Sequence, residues 1–413
     1  MRKAVITLIL ILMAMSLTSC YDANEIDDII HVVAIGIDKG VSDQWRLTIQ
    51  FPTMKESGGS EQSGSGSGKS QEEYTCVSID APSFFAGINM LNTSLPRKLN
   101  FMHAQIILFS EELAESGLIN EYIAPINRFR EIRKTSHVFV VKGKAYDLMK
   151  ENKPFIGNLL SKSFQLLIKE GAMTGYFPHV TLENFSEGLK STYHQPIAAI
   201  AAVNNGKSFI ENGEPSGTEF KTGGEYSAGR IPRTGDNKIE IWGTALFVRD
   251  TMVGELDGDE TRYLLLARGE FERGFFTIQD PQKPELVISL DIRSSREPEI
   301  KVTCDGSKPI IRLNVLLDGD LLAVQSGIDY EKPEHKELLE QAFRQIVKDG
   351  IEKLINKCKD LNTDALLFGD YAVKNFLTIN DWESYDWNNR FKEADITVNV
   401  EFAIRRTGTQ AKN

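Results

Sequence analysis

Histidine and cysteine are scarce. His31, His103, His137, His179, His194 and His335, with Cys20, Cys76, Cys304 and Cys358, are spread through 413 residues. No C-x-x-C or H-E-x-x-H occurs, and no histidine lies near a cysteine in zinc-ligand spacing, so no local metal site is legible. Positive charge is in deficit, with 47 Lys and Arg against 58 Asp and Glu, a net −11. That balance argues against nucleic acid as a main partner, because phosphate binding rests on cationic patches. By the same reasoning it argues against a basic surface that grips anionic lipid. What is plentiful is apolar content, 41% of residues, enough for sizeable cores in two or three domains.

Long apolar runs are also lacking, with one exception. Ala4–Leu17 carries no charge and follows Arg2 and Lys3. A membrane-spanning helix needs about 20 apolar residues, so this shorter run fits a secretory signal over 1–19. Leu17-Thr18-Ser19-Cys20 resembles the bacterial lipobox, a branched apolar residue and two small ones before a cysteine. The resemblance implies that the Cys20 thiol takes a diacylglyceryl group and that Cys20 becomes the first mature residue, open to N-acylation. Each buried methylene contributes about 0.8 kcal/mol, and two acyl chains hold where one is marginal. Removing 1–19 takes away two bases and no acid, leaving 45 against 58. The three remaining cysteines are expected to pack as small apolar residues, with one disulfide and one free thiol as the alternative.

The period-two pattern of "QWRLTIQFP" predicts a half-buried strand, with Trp45, Leu47, Ile49 and Phe51 inward and Arg46, Thr48 and Gln50 outward. "HVVAIGIDKG" and "EYTCVSIDA" read as strands beside it. The Gly/Ser segment 57–71 between the last two is flexible by composition and reads as a long hairpin loop. A helix near 81–95, the strands "HAQIILFS" and "HVFVVKG", and helical stretches after each follow. Residues 204–238 form a Gly/Ser/Glu-rich flexible segment. Beyond it come a strand pair turning at Arg-Asp-Thr and a helix in "GDETRYLLLARGE", with Asp259 as N-cap. Three strands from Glu285, an amphipathic helix at 334–360, a second helix at 364–376 and a final strand at 396–404 close the chain. Gly350 inside the long helix costs about 1 kcal/mol unless it permits a close contact. The reading is α+β: a signal peptide at 1–19, an N-terminal domain at 20–192, a middle domain at 193–272 and a β-β-β-α-α-β domain with mostly antiparallel pairing at 273–413.

Local chemistry is thin. Gly68-Lys69-Ser70 lacks the strand before it and the helix after it that a phosphate-binding loop needs, and Ser63 stands where glycine is required. A calcium loop from Asp257 would need Gly and Glu where Arg262 and Arg268 stand. Trp382 and Trp387 in "INDWESYDWNNRF" read as residues pinning a loop to the core, with an aromatic ligand patch as the alternative. No catalytic residue, metal ligand or cofactor site emerges.

Five segments in order resemble one family. "CYDANEIDDIIHVVAIGIDKG" is similar to the mature start of the Ger(x)C spore-germination lipoproteins, with Tyr21 where Trp is usual and Asp22, Gly36, Ile37, Asp38 and Lys39 matching. "LNFMHAQIILFSEELAESGL" and "FREIRKTSHVFVVKGKAYDLM", with Arg133, Val140 and Gly143, resemble its next units. "GTALFVRDTMVGELDGDETRYLLLARGE" resembles its middle signature through Gly243, Thr244, Ala245, Phe247, Asp250, Glu260, Thr261, Arg262, Arg268 and Gly269, and "NVEFAIRRTG" its end. The resemblance implies a three-domain, non-enzymatic C subunit of a nutrient germinant receptor. It implies anchoring by Cys20 on the outer face of the spore inner membrane, with integral-membrane subunits A and B as partners. The small-molecule germinant would be bound mainly by those partners. A substrate-binding lipoprotein of a transporter is the alternative; it would show two lobes of repeated β-α units around parallel sheets.

Overall fold

The structure, a computed structural model, describes residues 2, 3, 6, 28–53, 73–152, 160–212, 219–306 and 308–406. Cys20, the Gly/Ser segment 57–71 and part of the 204–238 segment lie outside the described residues. The first ten strands are β1 (Ile29–His31), β2 (Ala34–Lys39), β3 (Trp45–Thr53), β4 (Glu73–Ala81), β5 (Lys98–Asn100), β6 (Ile106–Ser110), β7 (His137–Val141), β8 (Ile197–Val203), β9 (Ile239–Val248) and β10 (Thr251–Leu256). Eight of them form one sheet in the order β10-β9-β8-β7-β6-β2-β3-β4, while β1 pairs with β5. The central β2, β6, β7 and β8 run parallel and the flanking strands antiparallel. Strands β2 and β6 are nearly continuous apolar runs because both of their faces are covered.

That double cover corrects one sequence expectation. Thr48 and Gln50 in β3 are buried like their apolar neighbours. The helix Ala145–Glu151 lies on their face, and Gln50 Nε2 donates to the Met149 carbonyl at 2.9 Å. The strands on either side of the Gly/Ser segment are paired arms of a hairpin, with Thr53 opposite Glu73. The sheet is continuous across residue 193. Within 193–272, β8, β9 and β10 extend the sheet begun in 20–192, with Ala199 opposite Phe139. Pairing onto β7 satisfies an edge that would otherwise expose a row of backbone donors and acceptors.

The C-terminal sheet holds β11 (Arg273–Gln279), β12 (Val287–Ser294), β13 (Glu299–Thr303), β14 (Ile310–Val324) and β15 (Asp395–Arg406). Its order is β11-β12-β14-β13, with β15 on β14. The first four pair antiparallel, but β15 runs parallel to β14, with Phe402 opposite Leu317. A parallel return needs a long crossover, and the helix Pro333–Asp360 supplies it. Leu339, Phe343, Val347, Ile351, Leu354 and Cys358 on that helix are buried at steps of three and four. Their stripe covers the sheet where Phe343 meets Phe402, ring centroids 4.5 Å apart.

The helix expected at 364–376 shrinks to Gly369–Ala372 and a 3-10 turn Val373–Asn375. Leu367 sits at φ 63, outside right-handed helical space. Asp364 folds back to accept from Phe368 N at 3.2 Å, Gly369 N at 2.7 Å and Trp387 Nε1 at 3.0 Å. Trp382 and Trp387 are buried, so this stretch is fastened to the core as expected.

Candidate functional site

The resembling segments, far apart in the chain, meet at two places. The first is the carboxyl end of β2, β6 and β7, the end at which open α/β sheets carry ligands. Asp38, at the end of β2, is buried and accepts from Ala145 N at 2.7 Å and Tyr146 N at 3.1 Å. It closes the helix that follows Gly143, and so ties the "GIDKG" segment to "VKGKAYDLM". Gly36 lies beneath the same helix, where a Cβ would come 2.5 Å from Met149 Sδ. A groove of about 540 Å3 opens here, lined by Asp38, Lys39, Arg46, Ser110, Glu111 and Lys144. Burial raises the Asp38 and Glu111 carboxyls above their ordinary range. Arg46 clamps Asp80 with two hydrogen bonds of 2.7 and 3.0 Å and holds that carboxyl well below it. Lys39 pairs with Glu112 at 3.6 Å.

The second meeting place joins the two large sheets. The helix Gly258–Arg268 starts at a capping box in which Asp257 accepts from Glu260 N at 2.8 Å and Glu260 accepts from Asp257 N at 3.0 Å. The N-cap is therefore Asp257, not Asp259. The reciprocal bond requires an accepting side chain three residues on; Asp257 has Glu260 at that spacing, whereas Asp259 has Arg262. Burial and neighbouring acids push the Asp257 carboxyl up to about 6. Arg262 is buried between the rings of Tyr176 and Phe276, 3.7 and 4.6 Å from their centroids, and donates to the Thr174 carbonyl. Thr261 and Thr244 hydroxyls bond at 2.9 Å. Glu260 also takes Lys357 Nζ at 2.6 and 2.8 Å, and Arg268 reaches the Ala365 carbonyl at 2.7 Å. Gly350 faces Tyr263 so closely that a Cβ would sit 2.3 Å from the ring, which accounts for glycine inside a long helix. Residues expected as a signature are thus fasteners that lock the N-terminal sheet to the long C-terminal helix.

The histidines, distant in sequence, are partly gathered by the fold. His31 stands edge-on to His103 at 4.7 Å and His137 to His179 at 4.5 Å. Burial, with His179 beside it, brings His137 down to about 4. His194 bonds Asp370 at 2.7 Å in a cleft of about 260 Å3 shared with His179 and Arg268. No local spacing signals these pairs. Among the described residues, no three His, Cys, Asp or Glu side chains are placed to hold a metal ion. Cys76, Cys304 and Cys358 are free thiols, and burial pushes Cys76 up to about 11. No helix among the described residues is long and apolar enough to cross a membrane.

Comparison with known proteins agrees with the convergence of these segments. Residues 22–203 match the spore germination protein N-terminal domain, and residues 242–408 match the spore germination B3/GerAC-like C-terminal domain. Spore germination protein B3 of Bacillus subtilis (strain 168) is 21% identical, with 98% of each chain covered. Spore germination protein KC of the same organism is 22% identical over 98% of this chain and 96% of its own. The crystal structure of the GerBC protein superposes with a TM-score of 0.53 at 17% identity, over 90% of this chain and 97% of that one. With both halves matched and relatives aligned end to end, the chain belongs to the Ger(x)C family of spore germination proteins.

Proposed function

We propose that the chain is the C subunit of a spore nutrient germinant receptor. In this reading Cys20 carries the lipid that holds it on the outer face of the spore inner membrane, beside integral-membrane subunits A and B. The observation that carries the reading is the end-to-end likeness to spore germination proteins B3 and KC. Its work is scaffolding and not catalysis, since the signature carboxylates and arginines described above are engaged in joining elements. The nutrient is recognised mainly by the membrane subunits.

Affinity capture of the tagged chain from spore inner membranes tests the assembly. Polytopic A and B subunits should co-purify, and their consistent absence overturns the subunit reading. Metabolic labelling with a fatty acid should mark the wild type and spare Cys20→Ala. Equal labelling of the two overturns the anchor.

A further inference from the structure

The acidic balance of the whole chain hides a local reversal. The first described strand, β1, lies parallel to β5 with Ile29 opposite Lys98. Residues 81–110 contain no acid at all, and Arg97 and Lys98 within them are exposed. The segment 127–136 is fastened alongside. Phe101 N donates to Glu131 at 3.0 Å, the Phe101 and Phe129 rings lie 5.6 Å apart, and the Ser136 hydroxyl donates to the Ala104 carbonyl at 2.7 Å. That contact sets the segment carrying Arg128, Arg130, Arg133 and Lys134, all exposed, beside 97–104. Glu131 is the one acid within 122–137, and it is engaged with the backbone. Arg97, Lys98, Arg128, Arg130 and Arg133 have no side-chain partner among the described residues. Two apolar side chains stand out among these cations: Met102 is 52% exposed, and Phe85, edge-on to Phe129, is 44% exposed.

We propose that this face, built from 97–103 and 128–134 with Phe85, docks on the surface of an anionic lipid bilayer. The proposal rests on the Cys20 anchor put forward above. Ile29 is nine residues from Cys20, and each residue spans at most about 3.6 Å, so the tether holds this face within roughly 30 Å of the acyl chains. Elsewhere an acidic body is repelled by anionic headgroups, so the cationic face is the orientation that charge selects. Exposed Met102 and Phe85 give it apolar contacts with the interfacial region, the combination used by proteins that lie on membranes.

The test uses the full lipidated chain reconstituted on vesicles of phosphatidylcholine, alone or mixed with phosphatidylglycerol. Amine acylation is mapped by mass spectrometry at Lys98 and Lys134 and normalised to Lys348 on the long C-terminal helix. On phosphatidylglycerol vesicles, labelling of Lys98 and Lys134 should fall several-fold. Reversing three partnerless cations together, Arg97→Glu, Arg130→Glu and Arg133→Glu, should restore it while the protein still floats with the vesicles and melts as wild type does. Equal labelling on both vesicle types overturns the proposal. Protection already present in detergent shows that the anionic bilayer is not what covers the face, and also overturns it. Protection that appears only when the membrane subunits are added assigns the face to a protein partner and overturns it as well. A chain that floats with neither vesicle type refutes the anchor, and the proposal with it.

Discussion

Asp38 ends β2 and closes the helix Ala145–Glu151, accepting from Ala145 N at 2.7 Å and Tyr146 N at 3.1 Å. The helix itself has no side-chain cap from Lys144, the residue before it. A residue on a different strand thus does what a neighbouring Ser or Asp usually does at a helix N-terminus. Asp38→Ala should cost about 1–3 kcal/mol, the usual penalty for leaving buried donors without a partner. Asp38→Asn keeps one acceptor oxygen and should cost less. Urea melts measure both; a loss for Asp38→Ala indistinguishable from zero means the contact carries no stability.

Gly350 gives a prediction whose sign is decided by competition. Alanine gains about 1 kcal/mol of helix propensity over glycine. Its methyl group would sit 2.3 Å from the Tyr263 ring, and overpacking of that kind costs about 1–3 kcal/mol. Gly350→Ala should therefore be destabilising in the wild type and neutral or stabilising in a Tyr263→Ala background. A stabilising effect in both backgrounds would mean that the helices do not pack this closely.

How much of this was legible in the sequence follows from what each pattern encodes. The stripe Leu339, Phe343, Leu354 and Cys358 gave the long helix almost to the residue, because 3.6-residue periodicity is a local property. The alternation from Ile396 to Ile404 gave β15 and its buried face for the same reason. Strand direction was not legible, since alternation looks the same whether the partner runs parallel or antiparallel. Thr48 and Gln50 looked solvent-facing, and only a helix about a hundred residues later covers them. The local run of bases escaped because composition averages over the chain, while 97–103 and 128–134 are set side by side only through the contact of Phe101 with Glu131 and Phe129.

His137 predicts an acid limb in the stability profile. Its folded value, about 4, lies below the ordinary 6.5, mainly through burial. Between those values the unfolded chain binds the proton and the folded chain does not, so the unfolded state gains as pH falls. The stability is present in full above pH 6.5 and drains away as pH drops toward 4, by roughly 2 kcal/mol once solvent access is allowed for. His137→Gln should flatten that limb. Unfolding free energies measured from pH 7 to 4 check it; identical slopes for the two proteins would place His137 in water.

Phe402 tests the architecture of the C-terminal half. It is 4% exposed on β15, packs its ring at a tilt against Phe343 of the long helix, and covers Gly319 of β14, where a Cβ would come 2.7 Å from its ring. The glycine, the ring and the helix are three layers of one packing arrangement, so nothing nearby is free to fill the space that truncation leaves. Phe402→Ala should cost about 3–5 kcal/mol, the range for emptying a buried aromatic site. Phe402→Leu, which leaves less space empty, should cost less. The loss should also weaken the junction with the N-terminal sheet, because the helix that Phe402 supports carries Lys357 to Glu260. In urea melts followed by tryptophan fluorescence, a Phe402→Ala unfolding free energy within about half a kcal/mol of wild type, the range of surface substitutions, would mean the strand does not support the helix.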